Sequence, residues 1–479
     1  MRTKIVCTLG PATDSDDVMR ALMHAGMDVA RLNFSHGVYA DHARRMAQVR
    51  RIAAELGAAV AIMGDLQGPK FRIGDLPEGG LPLARDQGVS IFAGRVYDPA
   101  QPGRIPMPHP EIISALAVGD RLLIDDGVLE LHVLERLDAG MLRCRAANDG
   151  TLLSRKGVSV PGVKVAVSSI TAKDRADLAF ACAQNVEAIA LSFVRSGADV
   201  RELRELITRN GGTQLVVSKI EKPEAMNELD AIVAESDIVM VARGDLGVEA
   251  PPEEVPFYQK RIIRNCRRAG KPVITATQML QSMVREVVPT RAEASDVANA
   301  VLDGTDAVML SAETATGAHP VEAVQAMARI ATRAENHAMQ RSVWRTEQAR
   351  HEDGSKAQAT DSITLAAVNI AKEIGAKVIV CGTRSGLTPR MVARHRPATP
   401  ILNLTTTQHA LHYAAFMWGV EGVIEPSVVQ SIDLMFEAAE TIVKLRGLAS
   451  SGDAIIIVTG VPLGSGAGMT NMIKVQIVR

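Results

Sequence analysis

Aromatic side chains make up only 3% of the 479 residues, so the cores of this chain must be assembled from Ala, Val, Ile, Leu and Met. Cysteine is scarce as well. Cys7, Cys144, Cys182, Cys266 and Cys381 are scattered and form no C-x-x-C pair. That excludes a disulfide framework and a zinc pattern, and it suits a reducing cytosol. No apolar run approaches the length of a membrane helix, so no span is expected. The apolar stretch after Arg2 and Lys4 stops at Gly10-Pro11, too soon for a signal-peptide core. An excess of one charge is also missing: 53 basic residues stand against 54 acidic ones, net −1, which argues against a generally basic nucleic-acid binder. There is no G-x-x-x-x-G-K-[ST], so no Walker loop holds a nucleotide. Gly464, Gly466 and Gly468 form no dinucleotide fingerprint and read as a surface loop. A cytoplasmic protein with no nucleic-acid or membrane partner fits these absences.

What is present is a rhythm. At this length two to four domains are expected. Short β-branched runs at 4–8, 28–34, 60–65, 188–193, 215–221, 238–243, 273–277 and 307–311 read as strands. Helical patterns at 16–24, 39–55, 200–209 and 291–302 lie between them. Eight such units predict a TIM (β/α)8 barrel with its site at the C-terminal ends of the strands. Between strands three and four, Gly, Pro and alternating strand-like runs replace helical periodicity. A small inserted β-barrel domain is therefore expected over 69–164. The barrel would occupy 1–68 and 165–343, followed by a polar linker over 344–360. From 361 to 479 helices (363–374, 389–394) and strands (378–381, 401–404, 454–458) alternate again, as a C-terminal α/β domain.

Strand side chains alternate with period two, which puts Arg31, Asn33 and Ser35 on one face and Lys219 and Glu221 on another. The same rule pairs Thr275 with Thr277. Asp65 closes strand three, and Arg243-Gly244-Asp245 closes strand six. Each alone reads equally well as a functional group or as a structural ion pair or solvated loop charge. Five strand ends carrying polar groups together point to catalysis. Glu221 and Asp245 are hard oxygen donors suited to Mg²⁺ or Mn²⁺. Lys219 and Arg31 supply positive charge for a transferring phosphoryl group.

Several segments resemble pyruvate kinases, and the resemblance spans essentially the whole chain. They are Arg2-Thr-Lys-Ile-Val-Cys-Thr-Leu-Gly-Pro11, Met27-Asp-Val-Ala-Arg-Leu-Asn-Phe-Ser-His-Gly37, Lys219-Ile-Glu221, Met240-Val-Ala-Arg-Gly-Asp-Leu-Gly-Val-Glu249, Ala276-Thr-Gln-Met-Leu280 and Pro289-Thr-Arg-Ala-Glu293. The resemblance implies transfer of the phosphoryl group of phosphoenolpyruvate to ADP, giving pyruvate and ATP. It implies that Glu221 and Asp245 ligate the divalent ion, that Lys219 stabilises the phosphoryl group and that Arg31 contacts the substrate phosphate. Gly244, Asp245 and Thr277 would hold the carboxylate, with Thr277 also on the route that protonates enolpyruvate. Asn33, His36, Arg72 and Lys156 would lie near the nucleotide, Lys156 on the lid. A homotetramer is implied in the same way.

Where many members read Asp-Thr-Lys-Gly-Pro-Glu, this chain has Asp65-Leu66-Gln67-Gly68-Pro69-Lys70. Lys70 brings an ammonium near the place of the family's potassium ion, with Asn33, Ser35 and Asp65 as the remnant of that site. The pattern is similar to members active without potassium, so K⁺ independence is expected. In the last domain the turn Thr383-Arg384-Ser385-Gly386 reads equally as an ordinary turn or as an anion site for a phosphorylated allosteric effector, facing 464–471. Two other readings remain: a barrel aldolase or lyase, and a catalytically silent sensor. A lid carrying Lys156 speaks against the first, and retention of Arg31, Lys219, Glu221, Asp245 and Thr277 against the second.

Overall fold

Eight parallel strands close into a barrel: β1 (Lys4–Thr8), β2 (Met27–Asn33), β3 (Ala61–Asp65), β4 (Ala188–Leu191), β5 (Leu215–Ile220), β6 (Ile238–Ala242), β7 (Val273–Ala276) and β8 (Ala307–Leu310). The computed structural model describes residues 1–341, 343–344, 359–463 and 470–479. Most of the expected linker, and Gly464, Gly466 and Gly468, lie outside the described residues.

Alternation sorts the strand side chains into two layers. Ile5, Cys7, Ala30, Leu32, Ile62, Ile189, Val216 and Val241 face the surrounding helices. Val6, Val29, Met63, Ala190, Val217 and Met240 fill the barrel interior. The helices begin where the sequence carries a cap and a return acid three residues on. Thr171 with Asp174, Ser196 with Asp199 and Thr290 with Glu293 each form a capping box, opening Ala172–Ala183, Gly197–Arg209 and Arg291–Asp303.

The inserted strands pair as a six-stranded sheet, running in space Val158–Ser159, Arg121–Ile124, Leu129–Asp138, Met141–Ala146, Gly88–Phe92 and Arg104–Pro106. A two-stranded companion joins Leu81–Leu83 to Gly150–Leu152. The sheet has its own core of Ile91, Leu122, Leu131 and Leu142. One feature differs from the all-β expectation. Pro110–Ala115 is a helix, started by Pro at its first turn and anchored by buried Ile112 and Ile113. Six residues are too few to show a helical period in the sequence.

At the C-terminal end the sheet order is Val420–Ile424, Ile401–Thr405, Ile379–Gly382, Ala454–Thr459 and Met472–Ile477, the last antiparallel. The two edge strands were not expected from the sequence. This sheet and its helices are seated on the N-terminal end of the barrel. Ala414, Phe416 and Met417 continue the apolar interior begun by Val6, Val29 and Ala61. Arg396, buried, pairs with Asp306 at 3.0 Å, and Asp306 also accepts from the Trp418 amide at 3.1 Å. The Tyr413 hydroxyl donates to the Asp237 carbonyl at 2.8 Å. Trp418 is fully buried between the guanidinium groups of Arg2 and Arg396, 5.2 and 5.1 Å from its ring centre. Among the described residues no helix is long and apolar enough to cross a membrane.

Candidate active site

The period that fills the barrel with Val29, Met63, Ala190 and Val217 places Arg31, Asp65, Ser192 and Lys219 one step higher, at the mouth. There the Arg31 guanidinium donates through Nε to Asp65 Oδ2 at 2.7 Å and through Nη1 to Thr8 Oγ1 at 3.0 Å. Lys219 Nζ stands 2.8 Å from Glu221 Oε1 and 3.2 Å from Asp65 Oδ1, and donates to Ser192 Oγ at 2.7 Å. Its approach to Asp65 Oδ1 is an ion-pair distance without hydrogen-bond alignment, so that buried oxygen has no hydrogen-bond donor. Glu221 Oε2 accepts from the Phe193 amide at 2.7 Å.

These four charges do not share alike. Burial opposes the charge on Asp65, but Lys219 and Arg31 outweigh it and hold that carboxyl below the ordinary range. Burial likewise opposes the Lys219 ammonium, yet Asp65 and Glu221 hold its pKa above normal, so Lys219 remains a fixed cation. Glu221 is fully buried with one cation beside it and the Asp245 charge opposing it, and its pKa is pushed up to about 7. Such a carboxylate is incompletely neutralised by its own protein. A divalent cation fits that deficit, and two hard carboxylates leave room for the water and phosphate oxygens such an ion retains. Among the described residues no cluster of three His, Cys, Asp or Glu forms a closed protein cage.

Asp245 lies in the first turn of the helix Arg243–Glu249 that follows β6. Thr277 Oγ1 accepts from the Gly244 amide and donates to the Ala276 carbonyl, both at 2.6 Å. The expected common face of Thr275 and Thr277 does not form. Thr275 turns to Thr305 at 3.0 Å, and the chain reverses at Thr277 with φ +70°. A β-branched residue in that conformation is strained, and strain of this kind concentrates at functional sites. Arg243 holds the reversal by donating to the Thr277 carbonyl at 2.8 Å and pairing with Asp296 at 2.7 Å.

A cavity of about 360 Å³ separates this mouth from the inserted sheet, lined by Lys70, Ser159, Val165, Arg195, Asp245 and Glu249. Lys70 is exposed and faces the cleft together with Asp126 and Asp245. On the insert, Lys156 pairs with Asp125 at 2.9 Å and Arg72 donates to the Arg155 carbonyl at 2.8 Å. Asn33 Oδ1 accepts from the Ser35 amide at 3.1 Å, and exposed His36 offers its carbonyl to His42 Nε2 at 2.9 Å. The distal turn is tighter than a free anion site. Thr383 Oγ1 accepts from the amides of Ser385 and Gly386 at 3.3 and 3.2 Å, and the Arg384 carbonyl accepts from Thr407 at 2.8 Å. Most of the facing stretch, 464–469, lies outside the described residues.

Sequence reasoning missed Thr8, Ser192, Phe193 and Arg195. Phe193 acts through its amide, which no side-chain pattern reveals. Ser192 continues the inward period of β4 and was visible in principle.

A parallel β/α barrel with a fixed cation and two carboxylates at its mouth, beneath an inserted sheet, defines a barrel enzyme of phosphoryl transfer. The family model described as pyruvate kinase, barrel domain, matches residues 1–324, and that described as pyruvate kinase, alpha/beta domain, matches 361–476. A pyruvate kinase of Agrobacterium vitis is 47% identical over 476 residues, covering 99% of this chain and 97% of the relative. One of Geobacillus stearothermophilus is 44% identical over 482 residues, covering 100% of this chain and 80% of the relative. The crystal structure of a pyruvate kinase from Cryptosporidium parvum superposes with a TM-score of 0.90 at 36% identity, covering 100% of this chain and 96% of that one. The chain belongs to the pyruvate kinase family. It is therefore a phosphotransferase, passing the phosphoryl group of phosphoenolpyruvate to ADP to yield pyruvate and ATP.

Proposed function

We propose that Arg31, Lys219, Glu221, Asp245 and Thr277 carry the reaction, and that Asn33, His36, Arg72 and Lys156 attend the nucleotide. The observation that supports this most is Lys219, buried and held between Asp65 and Glu221 at the barrel mouth. Glu221 and Asp245 hold Mg²⁺ or Mn²⁺, which when bound offsets charge on the substrate oxygens and polarises the transferring group. Lys219 and Arg31 meet the phosphoryl group from the protein side, as preorganised positive charge in a site that excludes water. Because Lys219 stays protonated, it positions charge and does not deliver the final proton. That task falls to the Thr277 Oγ1 side, where the hydroxyl hydrogen now rests on the Ala276 carbonyl. The amide of Gly244 and the Thr277 hydroxyl receive the substrate carboxylate. The insert closes over ADP as a lid, bringing Lys156 toward the phosphates.

Lys70 stands in for a monovalent cation, so activity is independent of potassium. Its exposure in the cleft and the substitutions at Leu66 and Gln67 support this. A cytoplasmic homotetramer, tuned by a phosphorylated effector at Thr383, Arg384, Ser385 and Gly386, completes the reading. For that effector to bind, the Thr383 hydroxyl must release the amides of Ser385 and Gly386.

The test is steady-state pyruvate formation from phosphoenolpyruvate and ADP with magnesium, at constant ionic strength, with and without potassium. Equal, substantial rates are expected. A many-fold rise on adding potassium would remove the role given to Lys70, and loss of less than tenfold in Lys219→Met would remove that given to Lys219.

A further inference from the structure

The inserted sheet hangs from the barrel by two strands of chain, and one barrel residue grips the returning one. Arg195 lies just beyond β4. Its Nη1 donates to the Val165 carbonyl at 3.2 Å, and its Nη2 to the Val167 carbonyl at 2.7 Å and to Ser169 Oγ at 3.3 Å. Ser169 in turn reaches Asp199 at 3.0 Å, and Asp199 accepts from the Arg195 amide at 2.9 Å. The outgoing strand is held by the same turn. Ser192 Oγ donates to the Leu66 carbonyl at 2.7 Å, while a Cβ on Gly68 would meet Ser192 and Phe193 at 2.9 and 2.8 Å.

Residues 192–195 therefore touch both hinge strands, and they also touch the reacting groups. Ser192 Oγ accepts from Lys219 Nζ at 2.7 Å and the Phe193 amide donates to Glu221 Oε2 at 2.7 Å, with Phe193 held at φ +54°. A lysine at 195 would present one nitrogen on a flexible stem, without the rigid planar fork that here sets two nitrogens against the Val165 and Val167 carbonyls. We propose that Arg195 is a positioning residue that sets the angle of the inserted sheet over the barrel mouth. Through the turn 192–195 it ties that angle to the seating of Lys219 and Glu221.

The functional part of this proposal rests on the reading of the insert as a nucleotide lid. Two measurements separate the two ideas. The first uses no nucleotide. All five native cysteines are buried, so cysteines introduced by Val128→Cys on the insert and Val288→Cys on the barrel, both exposed, accept spin labels selectively. Arg195→Ala should shift or broaden the label-to-label distance distribution, and Arg195→Lys should restore part of it. An unchanged distribution in Arg195→Ala overturns the proposal. The second measurement is kinetic. Arg195→Ala should raise KM for ADP about tenfold, with a smaller change in KM for phosphoenolpyruvate and an unchanged melting temperature. Lys156→Ala is measured beside it. If Lys156→Ala raises KM for ADP and Arg195→Ala does not, the coupling is wrong and the lid reading stands. If the distances move but neither variant alters KM for ADP, the positioning role stands and the lid reading fails.

Discussion

Lys219→Met isolates one charge at the centre of the site. The methionine keeps the apolar stem and deletes the ammonium 2.8 Å from Glu221 and 3.2 Å from Asp65. Two cations then facing two carboxylates become one facing two, so the inner group changes from neutral to one net negative charge. Asp65 retains Arg31 at 2.7 Å, while Glu221 keeps only the Phe193 amide at 2.7 Å. Leaving a buried ion unpaired usually costs about 3–5 kcal/mol. Glu221 can escape most of that by taking a proton, since its pKa is already pushed up to about 7. The fold should therefore lose only about 1–2 kcal/mol at pH 7. Catalysis has no such escape. Removing one preorganised positive group from developing charge costs about 3–4 kcal/mol, or roughly 10²–10³ in kcat. The assay is pyruvate release at saturating phosphoenolpyruvate, ADP and magnesium, beside a thermal melt. A kcat within tenfold of the parent in a variant that melts normally would refute the reasoning.

Other perturbations give separate readings. His395 is buried beside Arg394 and Arg267, and burial followed by those charges lowers its pKa to about 3. Its stabilising neutrality is complete above pH 6.5 and is lost as pH falls toward 3, at about 1.4 kcal/mol per pH unit. His395→Gln should flatten the acid limb of the stability curve in urea melts, and an unchanged limb excludes this residue as its source. Arg396→Ala removes a buried partner of Asp306 and should cost about 3–5 kcal/mol. Trp418 makes the change visible in fluorescence-monitored unfolding, and a loss below 1 kcal/mol would contradict it. Thr277→Ala removes the acceptor of the Gly244 amide. It should lower kcat by about 10²-fold with little change in melting, since a missing site hydroxyl affects the transition state more than the core. Lys70→Glu should make the rate rise with potassium, and a rate indifferent to the ion would leave Lys70 without the role given to it.

The barrel was legible because its strands obey one simple rule. Runs such as Leu215-Val-Val-Ser-Lys-Ile220 are apolar on both faces until the mouth, and each expected strand lies within two residues of the observed one at either end. The same alternation brought Lys219 beside Glu221. It failed at Thr277, because a left-handed backbone angle is a tertiary imposition that threonine does not announce. The strand Val420–Ile424 was obscured by Gly422 and by its half-exposed edge position, and Met472–Ile477 by its exposed alternate residues. Arg195 was invisible for a different reason. Its partners are carbonyl groups, which every residue possesses, and only the folded path of 165–169 aims them at it.

The seat of the C-terminal sheet on the barrel has a mechanical meaning. Strands of a closed barrel are stiff, and two of these carry Arg31 and Lys219 near their C-terminal ends. Their feet rest in the same oil as Phe416 and Met417. A tilt of the last domain would press on the floor of the barrel, opposite the mouth that holds Arg31 and Lys219. Severing the chain before residue 359 would strip that floor bare, turning packed methyl groups into a wetted surface at the base of the enzyme.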